Sequence, residues 1–277
     1  MKRIAIVPTL LTLGNGVCGF AAIANASKIG SIDVGTGIDP FFAASGWLIL
    51  AAMVFDMLDG YVARLSRSAS KFGGELDSLC DAISFGVAPA FLLLRLGPGW
   101  QPQPIFHQAL AGIASLYLVC AVLRLARFNI ENNLESSGHK RFRGLPSPAA
   151  AGCIASLAIL RGELPAKLAL HMNDFDPDVV RRWIELWAPL GAFVVALLMV
   201  SRIPYPHVTK QVLRGRRHFG HLVQLILVAF LIVLIRELAL VLIFWGYALA
   251  IALRFAIMRS LRHQARTAPS LDEGLPR

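Results

Sequence analysis

The feature that most constrains this chain is a succession of long apolar segments. A helix that crosses a lipid bilayer needs about 20 mostly apolar residues. Eight segments approach that length: residues 6–27, 41–63, 74–96, 106–128, 146–162, 184–201, 219–236 and 238–258. The sequence therefore predicts an all-α, polytopic transmembrane helix bundle of about eight spans. Because the fifth segment is short and only Arg236 and Glu237 separate the last two, counts of six or seven remain alternatives.

The composition agrees with a membrane protein. The chain is 56% hydrophobic and only 16% charged, whereas soluble domains carry about 25% charged residues. The net charge of +10 is typical of basic cytoplasmic loops in contact with anionic membrane lipids, so no nucleic-acid partner is expected. All four cysteines lie in apolar segments and none are at CxxC spacing: Cys18, Cys80, Cys120 and Cys153. This predicts free buried thiols.

The distribution of basic residues predicts the orientation. With eight spans, both termini and the alternate loops lie on one side, and that side carries most of the 27 lysines and arginines. The positive-inside rule then makes both termini cytoplasmic. The run after Met1-Lys2-Arg3 lacks a small-residue cleavage site, so we interpret it as a retained span. Residues 1–260 are predicted to form one integral-membrane domain, and the polar residues 261–277 a disordered cytoplasmic tail.

Within this apolar chain, residues 54–86 read "VFDMLDGYVARLSRSASKFGGELDSLCDAISFG". Four aspartates lie here at spacings of 3, 18 and 4, namely Asp56, Asp59, Asp77 and Asp81. Spacings of three and four put each pair on one helical face. The polar hairpin "RLSRSASKF" lets the two helices pack side by side. All four carboxylates are therefore predicted to converge just inside the cytoplasmic boundary.

Carboxylates at this depth are costly unless cations neutralise them. Ligand sets made only of oxygen favour hard ions such as Mg²⁺ or Mn²⁺, and two ions shared by four aspartates leave positions for phosphate oxygens. Gly60 and Gly73 let a phosphate approach the backbone, Ala63 keeps the same face open, and Arg64 can reach a phosphate charge. The alternative interpretation of each residue alone is ordinary: a helix cap, a surface charge or a packing glycine.

Taken together, the residues form the pattern Asp56-x2-Asp59-Gly60-x2-Ala63-Arg64-x8-Gly73-x3-Asp77-x3-Asp81. This resembles the signature of the CDP-alcohol phosphotransferases, membrane enzymes of phospholipid synthesis. Further stretches resemble the phosphatidylserine synthase branch: "VPTLLTLGNGVCGFAAI", "DSLCDAISFGVAPA", "RLARFN", "FRGLPSPAAAG" and "LMVSRIPYP". They place the catalytic core of the predicted domain at about residues 1–205.

The resemblance implies a reaction in which CDP-diacylglycerol and L-serine give phosphatidylserine and CMP. It implies that Asp56, Asp59 and Asp77 hold one metal and that Asp56, Asp77 and Asp81 hold the other. Asp81 would be the general base that takes the proton of the serine hydroxyl. The CDP site would be lined by Gly60, Ala63, Arg64 and Gly73. The resemblance also implies membrane lipids as surroundings, a homodimer, and a place in the cell inner membrane with the site facing the cytoplasm.

The acceptor site is predicted from polar residues near the same membrane boundary. Free serine brings a carboxylate and an ammonium group, so a basic side chain and several oxygens or amides are expected. The candidates are Thr12, Asn15, Arg124, Arg127, Asn129, Arg143 and Ser147. The alternative for the arginines is that they extend to lipid phosphates, as basic residues near span ends do.

Three other functions remain as alternatives. A related transferase would use glycerol 3-phosphate or inositol phosphate as the acceptor. A cation transporter would also hold acidic residues in the membrane, but its sites lie near the bilayer midplane, often in repeated halves, and we find no repeat. A prenyl-transferase-like diphosphate site would carry a doubled aspartate motif, and the chain has no Asp-Asp pair.

Overall fold

A computed structural model describes residues 6–30, 39–66, 70–97, 104–134, 144–171, 176–205 and 236–267. Every regular element in these ranges is helical, which confirms the predicted fold class. The helices are α1 (Ile6–Ser27), α2 (Pro40–Leu65), α3 (Lys71–Asp81), a π-helical turn (Ala82–Val87), α4 (Ala88–Leu96), α5 (Pro104–Leu134), α6 (Ser147–His171), α7 (Pro177–Val200) and α8 (Arg236–Thr267). The segment from α3 through the π-turn to α4 is one continuous helix.

Six of the described helices are long and apolar enough to cross a membrane, as expected of an integral membrane protein. They correspond to the first four, the sixth and the eighth predicted spans. The fifth is observed as α6, which is not among those six, and most of the seventh lies outside the described residues. The predicted disordered tail starts at residue 261, whereas α8 continues to Thr267.

Local sequence explains where several helices begin. The Asp39 side chain accepts a hydrogen bond from Phe41 N at 2.9 Å, and Pro40 follows it at the first helical position of α2. Ser70 caps α3 in the same way, accepting from Gly73 N at 3.0 Å. Capping side chains pair backbone N–H groups that have no partner inside the helix. The cap at Ser70 fixes the first turn of the helix that carries two of the four aspartates.

The centre of the bundle is α6, whose residues 150–159 are all buried. It packs against α2, α7 and α8, and α1 packs along α2 and against α3. Close approach depends on small residues: a Cβ on Gly46 of α2 would lie 2.7 Å from Ala155 O, and one on Gly162 of α6 would lie 2.7 Å from Ala43 N. The predicted free thiols are confirmed for all four cysteines, three of them buried and Cys18 partly so.

Charged residues at the end of α6 away from Ser147 are paired. Arg161 Nη1 lies 2.8 Å from Glu185 Oε1 of α7, and Glu163 accepts from Trp47 Nε1 at 2.7 Å and pairs with Arg236 of α8. These contacts join α2, α6, α7 and α8. Trp47 precedes Asp59 by about 18 Å along α2, at 1.5 Å per residue, so this network and the aspartates lie at different ends of the bundle.

Candidate active site

Three of the four aspartates gather where α2 and α3 run side by side. Asp56, Asp59 and Asp77 each offer a carboxylate oxygen, and these oxygens lie within 4.8 Å of one another. Asp56 and Asp59 share a face near the end of α2, and Asp77 is two turns into α3. This is the convergence that the spacing predicts for these three residues.

Two oxygens in this group are buried without a hydrogen-bond partner in the structure: Asp59 Oδ2 and Asp77 Oδ1. Asp59 is only 5% exposed. Burial of an unpaired carboxylate oxygen is strongly unfavourable, and a cation is the partner that removes the cost. Clustered carboxylate oxygens suit Mg²⁺ or Mn²⁺, so the residues present fit a divalent metal.

Asp81 has a different environment from the other three aspartates. It lies one turn beyond Asp77, where α3 passes into the π-turn, and is not part of the three-carboxylate group. Its Oδ1 accepts a hydrogen bond from Asn15 Nδ2 at 2.9 Å. The Ser84 hydroxyl in turn donates to Asn15 O at 2.9 Å. Helix α1 therefore holds Asp81 through the fully buried side chain of Asn15.

The close approach of α1 to the π-turn depends on a glycine of α1. A Cβ on Gly19 would lie 2.3 Å from Ser84 Oγ, so only glycine lets α1 approach the helix there. π-turns insert one extra residue into a helical turn and occur often at functional sites. Neither the π-turn nor Ser84 was predicted from the sequence, because apolar periodicity does not separate a π-turn from an α-helix.

A cavity of about 180 Å³ opens beside the aspartates. Three of the four residues predicted for the CDP site line it, namely Gly60, Ala63 and Gly73, together with Asp59 and Asp77. The fourth, Arg64, is exposed, and its Nη1 would lie 3.5 Å from a Cβ on Gly60. Thr12, predicted for the acceptor site, also lines it, and the sequence analysis missed the four other lining residues: Pro8, Thr9, Ser70 and Gly74.

Helix α1 lines one side of the cavity through Pro8, Thr9 and Thr12. The Thr12 hydroxyl donates to Pro8 O at 3.0 Å and lies beside the Asp59 carboxylate. Thr12 is therefore a cavity residue next to the aspartates, and Asn15, one turn on, contacts Asp81. Both were predicted for the acceptor, and the structure places both against the aspartate group.

Arg124 and Ser147 meet across α5 and α6. Arg124 Nη1 donates to Ser147 Oγ at 2.8 Å, and its Nε is buried without a hydrogen-bond partner in the structure. The guanidinium lies within Coulombic range of the Asp81 carboxylate. These two predicted acceptor residues therefore lie together, close to the predicted general base.

The remaining acceptor candidates behave differently. Asn129 Nδ2 donates to Ser78 Oγ at 2.8 Å, so its amide ties α5 to α3 beside Asp77. Arg127 is half-buried on the same stretch of α5. Arg143 lies outside the described residues, so its predicted role stays a prediction.

The loop before α6 is docked onto the end of α7. Gly144 N donates to Ile203 O at 2.8 Å and Leu145 N to Leu198 O at 3.0 Å. Gly144 has φ of +89°, which strongly favours glycine, and a Cβ there would lie 2.2 Å from Met199 O. This joint fixes the position of Ser147.

Tyr205 then ties the end of α7 to α8. Burial raises the pKa of Tyr205 to about 12, so its hydroxyl stays protonated and donates to Ala248 O at 3.0 Å. The sequence analysis did not select either residue. The stretches around residues 142–152 and 198–206 both resemble the family, and within their described parts, residues 144–152 and 198–205, the structure joins them by backbone hydrogen bonds.

A family model described as CDP-alcohol phosphatidyltransferase matches residues 5–205. The chain belongs to the CDP-alcohol phosphatidyltransferase family. All four aspartates, the lined cavity and the Arg124–Ser147 pair lie inside the matched range, and α8 lies outside it.

Several curated relatives are similar to this chain. It is 34% identical over 169 residues to a CDP-diacylglycerol–serine O-phosphatidyltransferase of Helicobacter pylori, a match that covers 61% of this chain and 63% of that protein. A Methanocaldococcus jannaschii protein of the same name is 36% identical over 176 residues, covering 63% of this chain and 70% of the relative. An archaetidylserine synthase of Methanothermobacter thermautotrophicus is 34% identical over 204 residues, a match that covers 73% of this chain and 70% of that protein. The chain thus spans less than two thirds of the Helicobacter pylori relative's length.

Proposed function

We propose that this protein transfers a phosphatidyl group from CDP-diacylglycerol to the hydroxyl of L-serine, giving phosphatidylserine and CMP. The observation that carries the proposal is the pair of buried, unpartnered oxygens of Asp59 and Asp77 at the wall of a glycine-lined cavity. The family match supports a CDP-linked donor, and the printed names of the relatives support serine as the acceptor of such a reaction.

The donor binds with its nucleotide in the cavity and its acyl chains in lipid. Gly60 and Gly73 let the pyrophosphate approach the ends of α2 and α3, because neither residue has a side chain. Ala63 presents only a methyl group to the same space. Arg64, exposed beside Gly60, supplies a positive charge to the phosphates.

Two divalent ions, Mg²⁺ or Mn²⁺, fit the aspartates. Asp56, Asp59 and Asp77 would hold one ion, and Asp56, Asp77 and Asp81 the other. The bound ions supply charge neutralisation for the pyrophosphate and for the leaving CMP. The unpartnered Asp59 and Asp77 oxygens support the first set directly.

Asp81 acts as the general base. It takes the proton from the serine hydroxyl while the serine oxygen bonds to the phosphorus that carries diacylglycerol, and the bond from that phosphorus to the CMP oxygen breaks. Asn15 holds one Asp81 oxygen by its hydrogen bond of 2.9 Å, which leaves the other oxygen for the proton. Asn15 is a positioning residue in this scheme.

Arg124 is the best candidate for binding the serine carboxylate. Its Nη1 is held by Ser147, and its buried Nε has no partner in the structure, so it has an N–H group to offer an anion. An arginine binds a carboxylate through two parallel hydrogen bonds. Thr12 and Asn15, on the other side of the aspartates, offer oxygens to the ammonium group. Arg127, Asn129 and Arg143 support the same region.

The deciding experiment offers the purified protein CDP-diacylglycerol and Mn²⁺ or Mg²⁺ with serine, glycerol 3-phosphate or inositol phosphate in parallel reactions. We expect CMP release and a new lipid only with serine. Release with another acceptor and none with serine would reject the serine assignment but keep the family chemistry. Asp81→Asn should abolish transfer; intact transfer with loss of cation flux in vesicles would favour the transporter alternative instead.

The topology follows from the same proposal. The site lies at the cytoplasmic boundary of the cell inner membrane, where a CDP group is in water and the acyl chains stay in the bilayer. Both termini are then cytoplasmic. A homodimer is proposed as well, by family resemblance.

A further inference from the structure

Helix α8 packs antiparallel on α6, outside the region that the family model matches. At one end of the pair Lys167 Nζ lies 2.5 Å from Glu237 Oε1, and nearer the middle Trp245 Nε1 donates to Cys153 O at 3.1 Å. Because the two helices run in opposite directions, residues after Trp245 lie beside residues before Cys153. The register therefore carries α8 toward Ser147, the residue that binds Arg124.

Tyr247 is the polar residue that α8 brings to this level. Its ring centroid lies 5.8 Å from that of Tyr205, whose hydroxyl donates to the neighbouring Ala248 O at 3.0 Å. This contact fixes the rotation of α8 at residues 247 and 248. The Arg124 guanidinium lies within Coulombic range of both the Tyr247 hydroxyl and the Asp81 carboxylate.

We propose that Tyr247 is a positioning residue of the acceptor site, which orients the Arg124 guanidinium toward the carboxylate of the amino-acid acceptor. The inference rests on the proposed function. A guanidinium binds a carboxylate well only in a fixed plane, and Ser147 restrains one nitrogen of Arg124 while Tyr247 restrains the group from the side of α8. The acceptor site is then completed by a helix beyond the family-matched region.

The test is a pair of matched tyrosine variants, Tyr247→Phe and Tyr205→Phe, in the full chain. Initial rates of CMP release are measured at varied serine with saturating CDP-diacylglycerol. They are then measured at varied CDP-diacylglycerol with saturating serine. For Tyr247→Phe we expect the KM for serine to rise about tenfold, which corresponds to about 1.4 kcal/mol. Its kcat and its KM for CDP-diacylglycerol should stay within about twofold of the parent values. Tyr205→Phe should lower the Tm, because it removes the hydrogen bond to Ala248 O, and should raise the KM for serine less than Tyr247→Phe does.

A double-mutant cycle keeps the test decisive if Tyr247→Phe is less stable. If Tyr247 acts through Arg124, the effect of Tyr247→Phe on the KM for serine should largely disappear in an Arg124→Lys background. Equal effects in both backgrounds would overturn the proposal, and so would an unchanged KM for serine in Tyr247→Phe. Failure of the proposed function would appear separately, as absence of serine-dependent CMP release in the unmodified protein.

Discussion

Gly60 offers the sharpest test of the donor site, because its missing side chain has no packing reason in the structure. A Cβ there would meet only the Arg64 guanidinium, at 3.5 Å, which is ordinary van der Waals contact. Alanine is also about 1 kcal/mol more favourable than glycine inside a helix. We therefore expect Gly60→Ala to fold with a Tm equal to or above that of the parent.

The added methyl group would enter the cavity of about 180 Å³ that Gly60 lines. Extra methyl groups in a well-packed space cost about 1–3 kcal/mol. If the CDP group fills this cavity, that cost appears in donor binding and raises the KM for CDP-diacylglycerol by about 5- to 150-fold. The KM for serine should stay near its parent value.

The assay is CMP release in mixed micelles of defined donor content, with a thermal unfolding curve for each variant. Gly112→Ala is the matched control, since a Cβ there has nothing within 4 Å and the residue lies on α5, away from the cavity. An unchanged donor KM in a folded Gly60→Ala would refute the assignment of this cavity. A lower Tm for Gly60→Ala would show that the glycine serves packing instead.

Three further predictions concern metal binding and stability. Mn²⁺ at about 100 times its Kd should stabilise the unmodified protein by about 2.7 kcal/mol, and Asp59→Asn should reduce this shift, as measured by thermal unfolding with and without the ion. Arg161→Met should cost about 3 kcal/mol in chemical unfolding, because it removes the main partner of Glu185, which is 3% exposed. Gly144→Ala should cost more than about 1 kcal/mol, because φ there is +89° and its Cβ would lie 2.2 Å from Met199 O.

Each of these predictions has its own control. Asp178→Asn removes a carboxylate that pairs with Arg181 at the other end of the bundle, so the Mn²⁺ shift should persist in that variant. Arg161→Met should keep its kcat per folded molecule, and a lost kcat with full stability would contradict a structural role. Gly112→Ala should not share the instability of Gly144→Ala.

Local periodicity predicted the fold class and, with the hairpin between the helices, the convergence of all four aspartates, of which the structure brings Asp56, Asp59 and Asp77 into one group. Apolar segments of bilayer length predict helices, and spacings of three and four put carboxylates on one face. The link from Asn15 to Asp81 joins residues 66 positions apart, and no local pattern reports such a distance. Ser84 of the π-turn donates to Asn15 O of α1, which is also a tertiary contact.

The contribution of α8 was hidden for a different reason. Tyr247 lies near the middle of an apolar segment, residues 238–258, whose pattern predicts only a membrane span. Its proximity to Arg124 follows from the register between α6 and α8. Two contacts set that register, Lys167–Glu237 and Cys153–Trp245.

The two ends of the bundle differ in how their carboxylates are paired with arginines, and this difference is a physical argument for a cation site. Within the described ranges, Glu163 and Glu185 at one end each pair with an arginine. Glu185 also buries one unpartnered oxygen, Oε2, but Arg161 pairs with its other oxygen, whereas Asp59 and Asp77 at the other end each bury an unpartnered oxygen beside further carboxylates. A fold that can supply arginines to buried acids but does not do so here leaves the aspartates to be neutralised from outside the chain. A divalent metal ion meets this requirement and can also bind the phosphates of a substrate.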